Sequence, residues 1–210
     1  AENIRKYYSD RLIIGFDNLK IYSGDKIGVI GQNGAGKTTL LNILAREIEP
    51  DEGFVRQYCE IKYIRQFSDE HIDADPKVLK EFSVQDKINQ QKLSGGERTR
   101  LIIAGAFSRD PVLLLADEPT TNLDYKGIEL LKQKLSQVES FLLISHDRYL
   151  LDSLCNRILE VRDGKIRVFD GNYSSYKEQM RIEFLSKEQE YEKYVAEKAH
   201  LEEAIKNRQG

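Results

Sequence analysis

The sequence predicts an α/β fold with a parallel sheet, on three observations. Apolar runs of strand length alternate with stretches of helical spacing between residues 26 and 154, as chains with a parallel sheet and crossover helices do. Two of those runs, 112–116 and 141–144, are continuously apolar, the pattern of strands buried on both faces. A glycine-rich loop at 31–36 joins a strand directly to a helix.

Residues 3–30 read as short strands, broken at Ser9-Asp10-Arg11 and Ser23-Gly24-Asp25, both turn-type clusters. Residues 26–30 form a buried strand running into the loop, and 37–47 a helix with Leu40, Leu41, Ile43 and Leu44 on one face. Pro50 and Gly53 end that unit, and strands follow at 54–58 and 61–65. The stretch 67–92 is polar and weakly patterned. After it come a helix at 96–107, the strand 112–116, a helix at 124–138 and the strand 141–144. A helix at 147–154 and a hairpin turned by Asp163-Gly164 close the domain near residue 170.

From Tyr173 the pattern changes. Met180, Phe184, Tyr191, Tyr194, Leu201 and Ile205 recur at helical spacing, with Lys187 and Lys198 in the same stripe. This predicts a long amphipathic helix that packs against another helix. Seven Lys/Arg stand against eight Asp/Glu in 171–210, a balance that describes a solvated face and not an RNA groove. The expected boundary lies between 170 and 171.

The chain has 210 residues and a formal net charge of −3, which argues against a basic nucleic-acid face over the whole chain. Cys59 and Cys155 have no metal-ligand or CxxC spacing and read as core or surface thiols in a reducing compartment. No apolar run approaches the roughly 20 residues of a membrane span, and no secretory signal precedes the first strand. A soluble, cytoplasmic protein is expected. The chain starts at Ala1 and stops inside a helical pattern, so it reads as a fragment.

Three motifs carry chemistry. Gly31-Gln-Asn-Gly-Ala-Gly36-Lys37-Thr38 fits GxxxxGK[ST] between a strand and a helix. Its glycines let backbone N–H groups close around phosphates at a helix N-terminus. Lys37 supplies a point charge to the β- and γ-phosphates and Thr38 a hydroxyl for Mg²⁺. At 112–118 an apolar run feeds Asp117 and Glu118, acids at the carboxyl end of a buried strand. Asp117 is the candidate metal holder and Glu118 the candidate general base. Leu93-Ser94-Gly95-Gly96-Glu97 opens a helix; alone it could be an ordinary N-cap, but it also forms a second anion site. Two such loops suggest a two-sided site, closed when another domain brings its own loop opposite.

The order of these motifs with Gln66, Leu123-Asp124 and Ser145-His146-Asp147 resembles the ATP-binding cassette proteins across residues 1–170. The resemblance implies a P-loop NTPase with an N-terminal antiparallel β subdomain, a shortened helical subdomain and a C-terminal linker helix. It implies Mg²⁺-dependent ATP hydrolysis, with ATP held by Asn33, Gly34, Ala35, Gly36, Lys37, Thr38 and Thr39. Tyr8 resembles the aromatic that stacks on adenine, with Tyr7 as the competitor. Gln66 matches the glutamine that senses Mg²⁺ and the γ-phosphate, and His146 the histidine that contacts the γ-phosphate. Leu93, Ser94, Gly95, Gly96 and Glu97 match the signature that completes a partner's site, and Asp124 the acid that links two sites across the pair.

Residues 117–124, and Gly171-Asn-Tyr-Ser174 running into a charged helix, resemble the ABC-F group. That implies two cassettes in one chain, joined by a helical linker, acting on ribosomes without a membrane domain. The ribosome (rRNA) would be met through the linker. Thr121-Asn122 stands where the group usually has Asn-His. Only 26 residues separate Gln66 from Leu93, which resembles the ABC-F proteins that protect ribosomes from lincosamides, pleuromutilins and streptogramins A. The alternative is a transporter's motor subunit, which would need the helical subdomain that is short here and leaves the charged helix unexplained.

Overall fold

The computed structural model describes residues 1–66, 72–88 and 93–209. They fall into two compact units, Ala1–Tyr173 and Ser174–Gly210. The first unit begins β1 (Glu2–Tyr8), β2 (Arg11–Asn18), β3 (Lys26–Ile30), α1 (Lys37–Leu44), β4 (Glu52–Phe54) and β5 (Ile61–Ile64). It continues α2 (Pro76–Glu81), α3 (Gly95–Phe107), β6 (Leu113–Asp117), α4 (Tyr125–Gln137) and β7 (Ser140–Ile144). It closes with α5 (Arg148–Leu154), β8 (Arg157–Arg162) and β9 (Lys165–Asp170).

One sheet is antiparallel, in the order β2-β1-β4; the other runs β5-β6-β7-β3-β8-β9. It is parallel through β8, and only β9 turns back. That last reversal uses Asp163 and Gly164, both with positive φ (51° and 71°), the two-residue turn that matches strand twist.

Alternation along each parallel strand sets two layers. Ile27 and Val29, Leu113 and Leu115, Leu142 and Ile144, and Leu159 and Val161 share one core with Leu40, Leu41, Ile43 and Leu44 of α1 and with Ile4, Ile14 and Phe16 of the small sheet. Residues of opposite parity face the other helices: a Cβ on Gly28 would meet Leu151 and Cys155 at 2.9 and 3.2 Å. Leu142 sits fully buried in β7, between β6 and β3. Leu142→Ala should cost about 2–5 kcal/mol of stability, read as a fall in denaturant midpoint at unchanged slope; a loss below about 1 kcal/mol would contradict this placement.

Three expected elements differ. The strand expected at 54–58 is β4 at Glu52–Phe54, because its partner is β1, with Glu2 opposite Phe54 and Arg5 opposite Glu52. Gly53 permits that pairing: its φ is +82° and a Cβ would come 2.3 Å from the Glu2 carbonyl. Helix α1 ends at Leu44, not 47, since Arg46 turns left-handed (φ 60°) and Glu47 N–H folds back to Asn42 O. Within 67–92, of which 67–71 and 89–92 lie outside the described residues, α2 forms where the residue pattern showed no element and the resemblance implied a shortened helical subdomain. Asp75 caps it, accepting from Lys77 N–H at 2.7 Å, and Pro76 opens it. It anchors through Leu79, with Phe82 and Val84 buried just beyond. Six residues are too few to show a helical period.

The described residues of the second unit, 174–209, belong to α6 (Tyr173–Gln209). The helix is present as expected, but Phe184, Tyr191 and Tyr194 of its apolar stripe are exposed; Leu201 and Ile205 lie outside the described side chains. Among the described residues no helix is long and apolar enough to cross a membrane.

Candidate functional site

Strands β5, β6, β7 and β3 are neighbours and parallel, so the residues following them emerge along one edge. Those residues are Gln66, Asp117 with Glu118, His146, and the glycine-rich loop. The carboxyl edge of a parallel sheet is where such folds bind ligands.

The loop holds its shape through Gly34 and Gly36, at φ +76° and +102°. Gly36 is the N-cap of α1 and supplies no side-chain cap, leaving the first N–H groups of the helix for an anion. Lys37 Nζ donates to the carbonyls of Gly31 and Gln32 at 2.8 and 3.0 Å. Burial pulls the Lys37 pKa down, while the charges of Glu118 and Asp117 work to hold it up.

Asp117 shares the strand face of Leu113 and Leu115, toward α1, by the two-residue period. There Thr38 Oγ1 donates to Asp117 Oδ2 at 2.6 Å, and Asp117 is only 4 % exposed. A hydroxyl beside a carboxylate is the oxygen set Mg²⁺ accepts when phosphates and water complete its shell, so the residues fit that ion. Among the described residues no group of three or more His, Cys, Asp or Glu is placed to hold a metal by itself.

Glu118 leaves the strand with φ 47°, a strained conformation for a residue with a side chain, and its N–H donates to Ile144 O at 3.0 Å. The turn aims the carboxylate at His146, with Nε2 lying 3.3 Å from Oε1. Oε1 is buried and that approach lacks hydrogen-bond geometry. Burial raises the Glu118 pKa above the ordinary value, and the nearby His146 opposes the rise. A buried acceptor in need of a donor, beside phosphate-binding groups, can take a proton from water.

These groups line one cavity of about 570 Å³, together with Tyr8, Asn33, Gly34, Thr39 and Gln66. Tyr8 is 49 % exposed there. Tyr7 is not in its wall; its N–H instead donates to Asp51 Oδ2 at 2.7 Å. Ala35 also lies outside that wall, in a neighbouring cavity of about 410 Å³ beyond the loop. Ile13, Thr121 and Ile144 line the main cavity without having been foreseen. Ile13 had a readable signal: Ile14 and Phe16 face the core, so residue 13 points the other way.

The 93–97 loop does not line this cavity. Ser94 caps α3 in a reciprocal box, accepting from Glu97 N–H while Glu97 Oε2 accepts from Ser94 N–H at 2.9 Å. Asn122 (φ 64°) packs over it; a Cβ on Gly96 would meet Asn122 O at 2.8 Å. The departure at 121–122 thus splits, Thr121 into the cavity and Asn122 onto the glycines. Asp124 is likewise outside the cavity. Its Oδ1 caps α4 by accepting from Gly127 N–H at 2.9 Å and also takes Arg100 at 2.7 Å, contacts that hold its pKa down.

A lysine-bearing glycine loop facing a carboxylate pair at a sheet's carboxyl edge defines the class: a P-loop nucleoside triphosphatase domain. The ABC transporter family model matches residues 16–121 and a second ABC transporter model matches 159–209, and the chain belongs to this ATP-binding cassette family of ATPases. It is 35% identical to the ribosome protection protein VmlR of Bacillus subtilis, over 91% of this chain and 36% of that protein. It is 36% identical to the erythromycin resistance ATP-binding protein MsrA of Staphylococcus epidermidis, over 86% of this chain and 38% of that one. The chain therefore spans just over a third of the length of these relatives. They bear out the resemblance to ABC-F proteins drawn from the motifs. Among solved structures, the ATP-binding cassette MJ0796, a dimer bound to ADP and Pi, shares the fold, with a TM-score of 0.67 at 22% identity over 80% of this chain and 97% of that one.

Proposed function

We propose that the chain is the first cassette of an ABC-F ATPase that binds ribosomes in the cytoplasm and protects them from antibiotics. Residues 1–170 would be the cassette and 171–210 the start of the linker to a second cassette. The likeness to a ribosome protection protein over 91% of the chain carries this reading. ATP would enter the 570 Å³ cavity, its phosphates held by Lys37 and the N–H groups of 33–39 and its base against Tyr8. Mg²⁺, held through Thr38 and Asp117, would offset the phosphate charge. Glu118 would take the proton of the attacking water; Gln66 and His146 would contact the γ-phosphate. Ser94, Gly95 and Gly96 would complete the second cassette's site, and that cassette's signature would complete this one, with Asp124 linking the two.

The longer protein in its Glu118→Gln form should co-sediment with 70S ribosomes on a gradient containing ATP, and less with ADP, because only ATP bridges the cassettes. Retention should weaken steeply with salt, and this acidic 210-residue chain alone should bind poorly. Recovery with membrane vesicles instead would favour a transporter's motor subunit.

A further inference from the structure

Glu97 puts a negative charge where a helix N-terminus should attract a phosphate. As the third helical residue of α3, its carboxylate folds back over the loop, and Oε2 accepts from both Ser94 N–H and Ser94 Oγ at 2.9 Å. It thereby occupies a donor that an arriving phosphate would need, and its charge offsets the attraction of the helix dipole. Across from it, Lys87 Nζ lies 2.9 Å from the other oxygen, Oε1. Lys87 is held in place by a turn: its N–H donates to Val84 O at 3.0 Å, and Val84 is buried, with its own N–H on Leu79 O. Lys87 and Ser94 together depress the Glu97 pKa to about 2, so the acid is ionised at any physiological pH.

We propose that Lys87 is a positioning residue for the phosphate arriving at the 93–97 loop: it cancels the Glu97 charge, so that Ser94 and the Gly95 and Gly96 N–H groups can meet the γ-phosphate of ATP bound to the opposing cassette. This rests on the two-sided site proposed above. Lys87 itself need not touch ATP. Its work is to keep an acid from repelling the nucleotide.

The test uses the longer protein with both cassettes, carrying Glu118→Gln so that turnover comes only from the site this loop completes. In that background, Lys87→Ala should raise the KM for ATP about ten-fold, the effect of roughly one uncancelled charge beside a phosphate in a half-exposed site, with kcat little changed. Lys87→Arg should stay near the parent. Within a Glu97→Gln background, adding Lys87→Ala should leave KM where Glu97→Gln alone puts it, because the charge that required cancelling is gone. A penalty that is absent, or equal in the Glu97 and Gln backgrounds, overturns the proposal; a lysine needed only for folding would not be rescued by the amide. Ser94→Asp separates the two levels. Asp is as good a helix cap as Ser but sets an acid against the phosphate, so it should abolish turnover at this site. An unaffected Ser94→Asp variant would overturn the two-sided site, and the role of Lys87 with it.

Discussion

Glu118→Gln, in the protein carrying both cassettes, should leave ATP affinity unchanged and lower turnover at this P-loop by about two to four orders of magnitude, the usual worth of a general base. The amide keeps the shape of the side chain but cannot accept the proton. Lys37→Ala should do the opposite, weakening equilibrium ATP binding about ten- to hundred-fold through loss of a charge-assisted contact to the phosphates. Equilibrium binding and single-turnover hydrolysis on both variants decide it, and equal loss of affinity would refute the assignment. Burial raises the Glu118 pKa, so the acid limb of turnover should lie above the value of an ordinary glutamate. The same shift has a stability consequence. The folded state holds this proton more tightly than the unfolded one, so the wild type loses stability as pH rises through the folded pKa. Gln carries no such loss. Glu118→Gln should therefore melt higher at neutral pH, with the difference closing below the unfolded value of 4.5.

The second large effect is the slowness of this chain by itself. It should bind ATP yet hydrolyse almost none as a monomer, because its own Ser94–Gly96 donors do not line its own cavity. Turnover should rise with the square of protein concentration at low occupancy, as two copies pair to supply each other's missing loop. Measured across a dilution series with the oligomeric state checked at each point, a rate that stays first-order in a monomer would exclude the two-sided site. In that event the donors that stabilise the transferred phosphate would have to come from this cavity alone.

Local chemistry made much of this protein readable in one dimension. An apolar run ending in two acids reads as a strand buried on both faces, and β6 is that strand from Leu113 onward, with every residue buried, while Val112 precedes it and is exposed. The loop from Gly31 to Lys37 needs glycine wherever the backbone turns left-handed, so its spacing survives as a motif. Ser94 caps α3 as a contact between near neighbours, which the sequence shows, and Asp124 and Asp147, read there as the first residues of their helices, cap α4 and α5 in the same way. Contacts between distant residues were not readable in this way. The site of β4 depended on β1 and on a carbonyl that only Gly53 tolerates; α2 was too short to show a period. Which of Tyr8 and Tyr7 lines the cavity depended on the path of the β1–β2 turn, and the partners of Asp117 and Glu118, like the cations paired with Glu97 and Asp124, lie elsewhere in the fold. Sequence alone determined which residue types stand at which strand ends, because backbone conformation and burial act locally. Tertiary structure alone decided which of them meet, since a 2.6 Å bond from Thr38 to Asp117 joins residues 79 apart in the chain.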